Sequence, residues 1–330
     1  MRITFSEDGR DFARRDWTEL VRADPAGTFF HQPRYLKLYW EEFGATPEHL
    51  LLAFAEIEDG TQVGAVAFER VGETLLFLGG TEITDYMGPV ALPGVKAAMA
   101  SELWAALTRR DDWAEADLWG LAEDRGWYGS LGEAALAQRM SVQEAPDHDG
   151  VAPCLALAPT WDGYLTGLAS KLRHEIRRKA KKLEAEAGPF KVVTADAEAL
   201  VPMLDRFVEL HHLSEGPKGV FMVPGMEIFF RRLGEAFAGP GGFRLNMIDV
   251  GGSFAAGTIG FGFGSTTYLY NSAFDRSWGA LAPGMVLVAE DIRLAIEEGC
   301  TSFDLLKGDY QYKYRFGAVP RGVKRLIVRR

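Results

Sequence analysis

The order in which segments recur is what most constrains this chain. Phe243 to Val250, Ser253 to Phe263 and Thr266 to Phe274 are rich in apolar and β-branched residues and are split by short turns, one of them Gly251-Gly252. They read as three antiparallel strands. Pro283-Gly284 then opens a helical pattern with an apolar face of Val288, Ile292, Ala295 and Ile296, and Gly299 stops it. Ser302-Phe303-Asp304-Leu305-Leu306 reads as the next strand and Arg325-Leu326-Ile327-Val328 as the last. The first half shows the same order more faintly. A helix ends near Gly44, strands follow over Leu50 to Ile57, Val63 to Arg70 and Thr74 to Leu78, and Gly94 opens a helix through Met99, Leu103 and Leu107. Ala116-Asp117-Leu118-Trp119 is the strand after it. Leu92-Pro93-Gly94-Val95 thus aligns with Ala282-Pro283-Gly284-Met285, and Ala116-Asp117-Leu118 with Phe303-Asp304-Leu305. The expectation is an α/β (α+β) chain of two tandem halves, each a mixed, mostly antiparallel sheet flanked by helices. The polar stretch Glu144 to Gly150, with its Pro and Gly, reads as the linker between domains over 1–145 and 151–330.

A length of 330 residues suits two domains, and 47% hydrophobic with 25% charged residues is ordinary for a globular protein. The two cysteines, Cys154 and Cys300, lie far apart, and no Cys-x-x-Cys or His-rich spacing points to a metal. The charged N-terminus MRITFSEDGRDFARRDW has no apolar core for a secretory signal. No stretch reaches the roughly 18 apolar residues of a membrane span, so a cytoplasmic protein is expected. A net charge of −10 excludes nucleic-acid binding by the surface as a whole.

One local exception stands out. Trp161 to Ala187 keeps a helical pattern in Leu165, Leu168, Leu172, Ile176, Ala180, Leu183 and Ala187, and Gly188-Pro189 ends it. Its polar face carries Lys171, Arg173, Arg177, Arg178, Lys179, Lys181 and Lys182, with Arg173, Arg177 and Lys181 on one stripe. Two readings stand: a docking surface for a phosphate-bearing or polyanionic partner, or a solvated face neutralised by the other domain's acidic surface; Glu175, Glu184 and Glu186 soften the stripe.

The chemistry concentrates near the C-terminus. The Pro283-Gly284 helix start, with Met285 after it and Ala273 on the preceding strand, is a place where unpaired N–H groups meet a phosphate. Trp278-Gly279-Ala280-Leu281-Ala282 can wrap that phosphate, although it is neither a glycine-rich acetyl-CoA loop nor a Walker A loop. After the next strand comes Lys307-Gly308-Asp309-Tyr310-Gln311-Tyr312-Lys313-Tyr314-Arg315. Asp309 can take a proton from an amine or hydroxyl, Tyr312 or Tyr270 can return one to a leaving thiolate, and Lys307, Lys313 and Arg315 can hold negative charge. The plain alternative is that Asp309 caps a helix beginning at Tyr310. His211, inside the helical run Leu204 to Leu213, is either a core residue or a base, and Asp85-Tyr86 sits in a turn-like setting in the first half.

Taken together, Leu168-Ala169-Ser170-Lys171-Leu172-Arg173 through Leu183, His211, Tyr268-Leu269-Tyr270, Ala282-Pro283-Gly284 and FDLLKGDYQYKYRFGA resemble the CelD/BcsL group of acyltransferases in the GNAT superfamily, from about Trp161 to Gly317. Lys307 stands where relatives often have Arg, and Tyr310-Gln311-Tyr312-Lys313 where they have Glu-Pro-Tyr-Lys or similar. Asp85-Tyr86 matches a step found in the first half of many relatives. The resemblance implies two GNAT-like halves, the first degenerate and structural or acceptor-binding. It implies acyl transfer from acyl-CoA, acetyl-CoA first, to an amine or hydroxyl on a small-molecule, glycan, peptide or cell-envelope acceptor, without a metal. Catalysis would be direct attack in a ternary complex, so positioning matters more than a covalent nucleophile. Within it, Asp309, Tyr312, Lys307, Tyr270 and Lys313 are the candidate catalytic residues. Pro283, Gly284, Met285 and Ala273 would hold the donor, and Asp85, Tyr86, His211, Arg173, Arg177 and Arg315 the acceptor. The related FemAB-type enzymes take an aminoacyl-tRNA donor, which would give the basic helix a direct role.

Overall fold

The computed structural model describes residues 1–44, 49–213, 221–239 and 241–330. They form two compact units, one of residues 1–151 with 321–330 and one of residues 152–320. The first contains strands β1 (Arg2–Ser6), β2 (Leu50–Glu56), β3 (Gln62–Val71), β4 (Thr74–Phe77), β5 (Val90–Ala91), β6 (Glu115–Ala122) and β7 (Ser141–Val151). Its helices are α1 (Asp11–Arg14), α2 (Thr18–Ala23), α3 (Pro33–Phe43), α4 (Lys96–Leu107) and α5 (Trp127–Ala137). The second contains β8 (Cys154–Ala156), α6 (Trp161–Gly167), α7 (Ser170–Ala187), β9 (Phe190–Thr194), α8 (Leu200–His212), α9 (Pro224–Ala236), β10 (Phe243–Val250), β11 (Ser253–Phe263), β12 (Thr266–Phe274), α10 (Pro283–Glu297), β13 (Ser302–Asp304) and α11 (Gln311–Tyr314). The chain then returns to the first unit with β14 (Gly322–Arg329).

Both sheets are mixed and flanked by helices, as the sequence order led one to expect. The first runs β1-β2-β3-β4-β6-β14-β7, with β5 beside β3, and the second runs β8-β13-β12-β11-β10-β9. The repeat is visible as a shared crossover. Strand β4 pairs parallel with β6 through α4, and β12 pairs parallel with β13 through α10; every other strand pair is antiparallel. The strand β2 is buried along its whole length, as its unbroken apolar run Leu50–Ala55 requires. The β10–β11 hairpin turns at Gly251 and Gly252, whose φ of 60° and 88° suit a turn with two left-handed residues.

Three expectations fail, each for a non-local reason. The strand over Arg325–Val328 does not close the second sheet: β14 lies between β6 and β7 of the first, with Leu326 opposite Leu118 and Glu144. The stretch Glu144–Gly150 is not a linker but part of β7, which keeps pace with β14 from Ser141 to Pro146 and then skips to Val151, opposite Gly322. The Pro and Gly of that stretch therefore mark an irregularity in a paired strand. Finally, the helix from Trp161 to Ala187 is two helices. Leu168 and Ala169 are extended (ψ 147° and 139°), which turns Leu168 onto the core that also holds Tyr164, Leu165, Ile176 and Phe316. The apolar spacing survives across the break, so periodicity alone could not reveal it.

Candidate functional site

The second unit's crossover opens into a wedge. Strand β12 pairs with β13 only from Thr266–Ser302 to Tyr268–Asp304, then continues to Phe274 beyond the end of β13. A bulge lies at the same level: Gly260 faces Leu269 and Ile259 faces Asn271, so Tyr270 is the extra residue. Gly260 is required there, because a Cβ on it would lie 2.5 Å from the Tyr268 carbonyl oxygen. The bulge leaves Tyr270 half-buried, with its ring edge-on to Phe230 and Phe261 at 5.6 and 5.4 Å.

The segment after β13 forms one side of the opening. Asp304, fully buried, accepts the Leu306 N–H at 2.8 Å, and Leu306 takes a left-handed φ of 60°. Lys313 is 2% exposed, and its ammonium donates to the Leu306 and Lys307 carbonyls, both at 2.7 Å. It thus braces the turn from beneath. Lys307, half-buried, is held by that same turn. Gly308, with φ 107°, lets the Tyr310 ring lie over it: a Cβ there would come within 2.4 Å of that ring. Asp309 is exposed and accepts the Tyr314 hydroxyl. It caps nothing, since α11 has no side-chain cap and starts from Tyr310. Its hydrogen bond raises the Tyr314 phenol above the ordinary range. Tyr312 packs against the core and stacks on Tyr310 with centroids 6.3 Å apart. Burial pushes its phenol up to about 12, so it stays protonated at neutral pH. Arg315 reaches Glu175 of α7 at 3.5 Å.

The helix α10 begins where β12 ends, after a 3-10 turn over Arg276–Leu281. Ala282 is left-handed (φ 53°) and Pro283 occupies the first helical position. Pro283 has no N–H and the Met285 N–H turns back to the Ala282 carbonyl at 3.1 Å, so two of the first-turn positions expected to face a phosphate offer no free donor. A Cβ on Gly284 would sit in ordinary van der Waals contact with the Phe274 side chain, the nearest atom at 3.6 Å. Ala273 is buried in β12 opposite Gly257, and Met285 packs partly into the core. Helix α7 lies against α10 and the 3-10 turn, which the Lys182 ammonium grips through the Ala280 carbonyl at 2.9 Å. Arg173 points back to the Leu165 carbonyl at 3.5 Å, while Arg177 is exposed.

The structure therefore gathers Lys307, Asp309, Tyr312 and Lys313 in one turn, with Arg315 just beyond. Tyr270, Ala273, Pro283, Gly284 and Met285 follow along β12 and into α10. The remaining candidates are His211, on a helix packed against β11 and β12, and Asp85 and Tyr86. His211 is fully buried, its ring 6.0 Å from both Phe207 and Phe221. Asp85 and Tyr86 belong to the first unit, where Tyr86 is 1% exposed beneath Arg125, whose guanidinium lies 5.2 Å from the ring, and accepts from Arg321 at 3.3 Å. Sequence reasoning passed over Asp291. It is buried on the core side of α10, where it accepts from Asn246 at 2.7 Å and from Thr258 at 2.8 Å. Desolvation pushes its carboxyl up to about 6. An acidic residue inside an apolar helical stripe was the available signal.

Comparison with known proteins agrees with this geometry. Residues 170–314 match the family model described as an acetyltransferase (GNAT) domain. No curated protein matches the sequence. Among solved structures, FemX superposes with a TM-score of 0.67 at 12% identity, over 98% of this chain and 97% of that one. The C-terminal domain of a putative lysylphosphatidylglycerol synthetase from Agrobacterium fabrum gives 0.60 at 11%, over 98% and 92%. L-PGS from Bacillus licheniformis gives 0.54 at 13%, over 91% and 92%. At such identities the likeness is one of fold. Residues 170–314 are thus similar in sequence to an acetyltransferase (GNAT) domain, and the chain as a whole shares the fold of FemX.

Proposed function

We propose that the second unit is an acyltransferase of the CelD/BcsL type. It moves an acyl group, acetyl first, from acyl-CoA to an amine or hydroxyl of a small-molecule, glycan or cell-envelope precursor in the cytoplasm. The observation that carries this reading is the end of the β12–β13 pairing at Tyr268 and Asp304, followed by the turn that gathers Lys307, Asp309 and Tyr312, in the segment that matches the GNAT domain. A donor arm entering where β12 and β13 stop pairing would bring its phosphates to the start of α10. Asp309, exposed and oriented by Tyr314, is placed to take the proton of the attacking group. Tyr312, protonated at neutral pH, and Tyr270 are the groups that return a proton to the departing thiolate. Lys307 supplies positive charge to the developing oxyanion. Lys313 keeps the turn in shape.

Calorimetric titration with acetyl-CoA and with CoA tests the donor. The expected result is saturable one-site binding that Gly284→Glu abolishes while the variant stays folded. No binding at millimolar CoA overturns the CoA donor and moves the reading to an aminoacyl-tRNA donor, as in the FemAB resemblance.

A further inference from the structure

A groove in the second unit has no part in the chemistry above. It lies where α6, α7 and α10 meet and holds about 220 Å³. Its floor is apolar: Leu165, Ile176, Val286 and Ala289 are each more than nine-tenths buried, with Ala180 beside them. Leu165, Ile176 and Ala289 belong to one apolar cluster and Ala180 and Val286 to another, so the groove marks the seam between two parts of the core. Ala180 on α7 and Ala289 on α10 are its smallest side chains, and their size keeps the seam from filling itself. Four further side chains border that floor. The Trp161 indole stacks on Tyr164 with centroids 5.3 Å apart, and the Tyr164 hydroxyl donates to the Phe316 carbonyl at 2.6 Å, so this wall is fixed. Asp162 and Arg177 are exposed and, among the described residues, form no ion pair. Arg293 donates twice to Oε2 of Glu290, which leaves Oε1 to accept.

We propose that this groove binds a free α-amino acid with a bulky apolar side chain. A ligand that covers the floor strips water from the charges around it and must replace that water. A neutral apolar molecule leaves both signs uncompensated, an anion meets Asp162 and Glu290, and a cation meets Arg177. A zwitterion with an apolar body satisfies all three. The planar fork of Arg177 suits a carboxylate, Asp162 and Oε1 of Glu290 accept from a primary ammonium, and the side chain covers the seam beside Trp161. A quaternary ammonium is disfavoured, because a single ring borders the groove where such cations take an aromatic cage. The volume falls below the roughly 300–1,000 Å³ of ordinary ligand pockets, so one compact molecule fills it. An esterified amino acid has no charge left for Arg177. The inference does not depend on the acyl donor.

The test is calorimetric titration of the full chain with L-phenylalanine, without acyl donor. The expected result is one-site binding with a dissociation constant of about 1 mM or tighter, in keeping with the modest affinity per atom of small ligands. Phenylethylamine, phenylpropanoate and L-phenylalaninamide each lack one of the two charged groups and bind about tenfold more weakly or worse. Arg177→Gln weakens L-phenylalanine about tenfold and leaves phenylethylamine unaltered, because that analogue has no carboxylate to lose. Ala180→Leu fills the seam and abolishes binding in the folded variant; should it fail to fold, the exposed Arg177→Gln decides alone. No binding at about 10 mM L-phenylalanine overturns the proposal. So does an analogue that binds as tightly as the amino acid, or unchanged affinity in Arg177→Gln. Displacement of L-phenylalanine by CoA overturns it as well, since the groove would then belong to the donor site.

Discussion

The two crossovers start alike and end differently. In the first unit, residues 78–95 separate β4 from α4, and the chain fills its own wedge. Met87 donates to the Gly120 carbonyl at 3.0 Å, Met87 sits in the core, and Tyr86 lies buried against Phe30 under Arg125. In the second unit only residues 275–282 separate β12 from α10. They coil into a 3-10 turn, and β12 runs on past Tyr268 without pairing to β13. One parallel pair around a helix becomes core in one place and a candidate site in the other. The length and packing of the connection decide which.

Substitutions can break this contrast, beginning with the largest effect. Tyr86→Ala removes a fully enclosed ring from the first unit and is expected to cost about 3–5 kcal/mol, read from urea unfolding. Asp309→Asn, on the exposed turn of the second unit, should leave the unfolding midpoint almost unmoved and lower kcat about a hundredfold. If instead Asp309→Asn destabilises as Tyr86→Ala does, the turn is structural and the site assignment fails.

Each unit also braces its crossover with a lysine. Lys313→Met orphans two buried carbonyls and is expected to cost about 2–4 kcal/mol. Lys96→Met, whose quarter-exposed side chain donates to the Arg125 carbonyl, should cost about 1 kcal/mol. Paired denaturation curves would show whether that ranking holds.

Acid sharpens the comparison further, because the buried titrating groups have opposite signs. Burial lowers His31 of the first unit from 6.5 to about 4, so the folded form binds fewer protons. Its contribution is complete above pH 6.5 and is lost as pH falls toward 4. Asp291 of the second unit is raised from 3.8 to about 6, so its contribution is complete below 3.8 and is lost as pH rises through 6. Each is worth about 3 kcal/mol at most. Between pH 7 and 4.5, hydrogen exchange should quicken in the first unit relative to the second, and Asp291→Asn should flatten the second unit's response. The smallest change is Gly284→Ala. Its methyl meets only the Phe274 ring, and stability should stay within about 0.5 kcal/mol, measured as a thermal midpoint.

Much of this was legible. The hairpin at Gly251-Gly252 and the helix from Pro283 carry local signals of turn chemistry and capping and formed as read, while the strand read over Ser302–Leu306 formed over Ser302–Asp304. The candidate turn was legible as a cluster of residue types, but the work each one does was not. Lys313 is polar by composition, yet it is buried by the fold and turned to backbone carbonyls. His211 and Tyr86 look functional in sequence and lie in cores.

By itself the sequence determined the order of elements, the duplicated crossover and the basic stripe on one helix, since each follows from contacts within a few residues. Only the tertiary structure decided that β14 completes the first sheet, that the helix breaks at Leu168, and that one connection packs into its core while the other coils into a 3-10 turn. Those outcomes depend on which distant backbone edge or apolar surface a segment meets, and no local spacing encodes that choice.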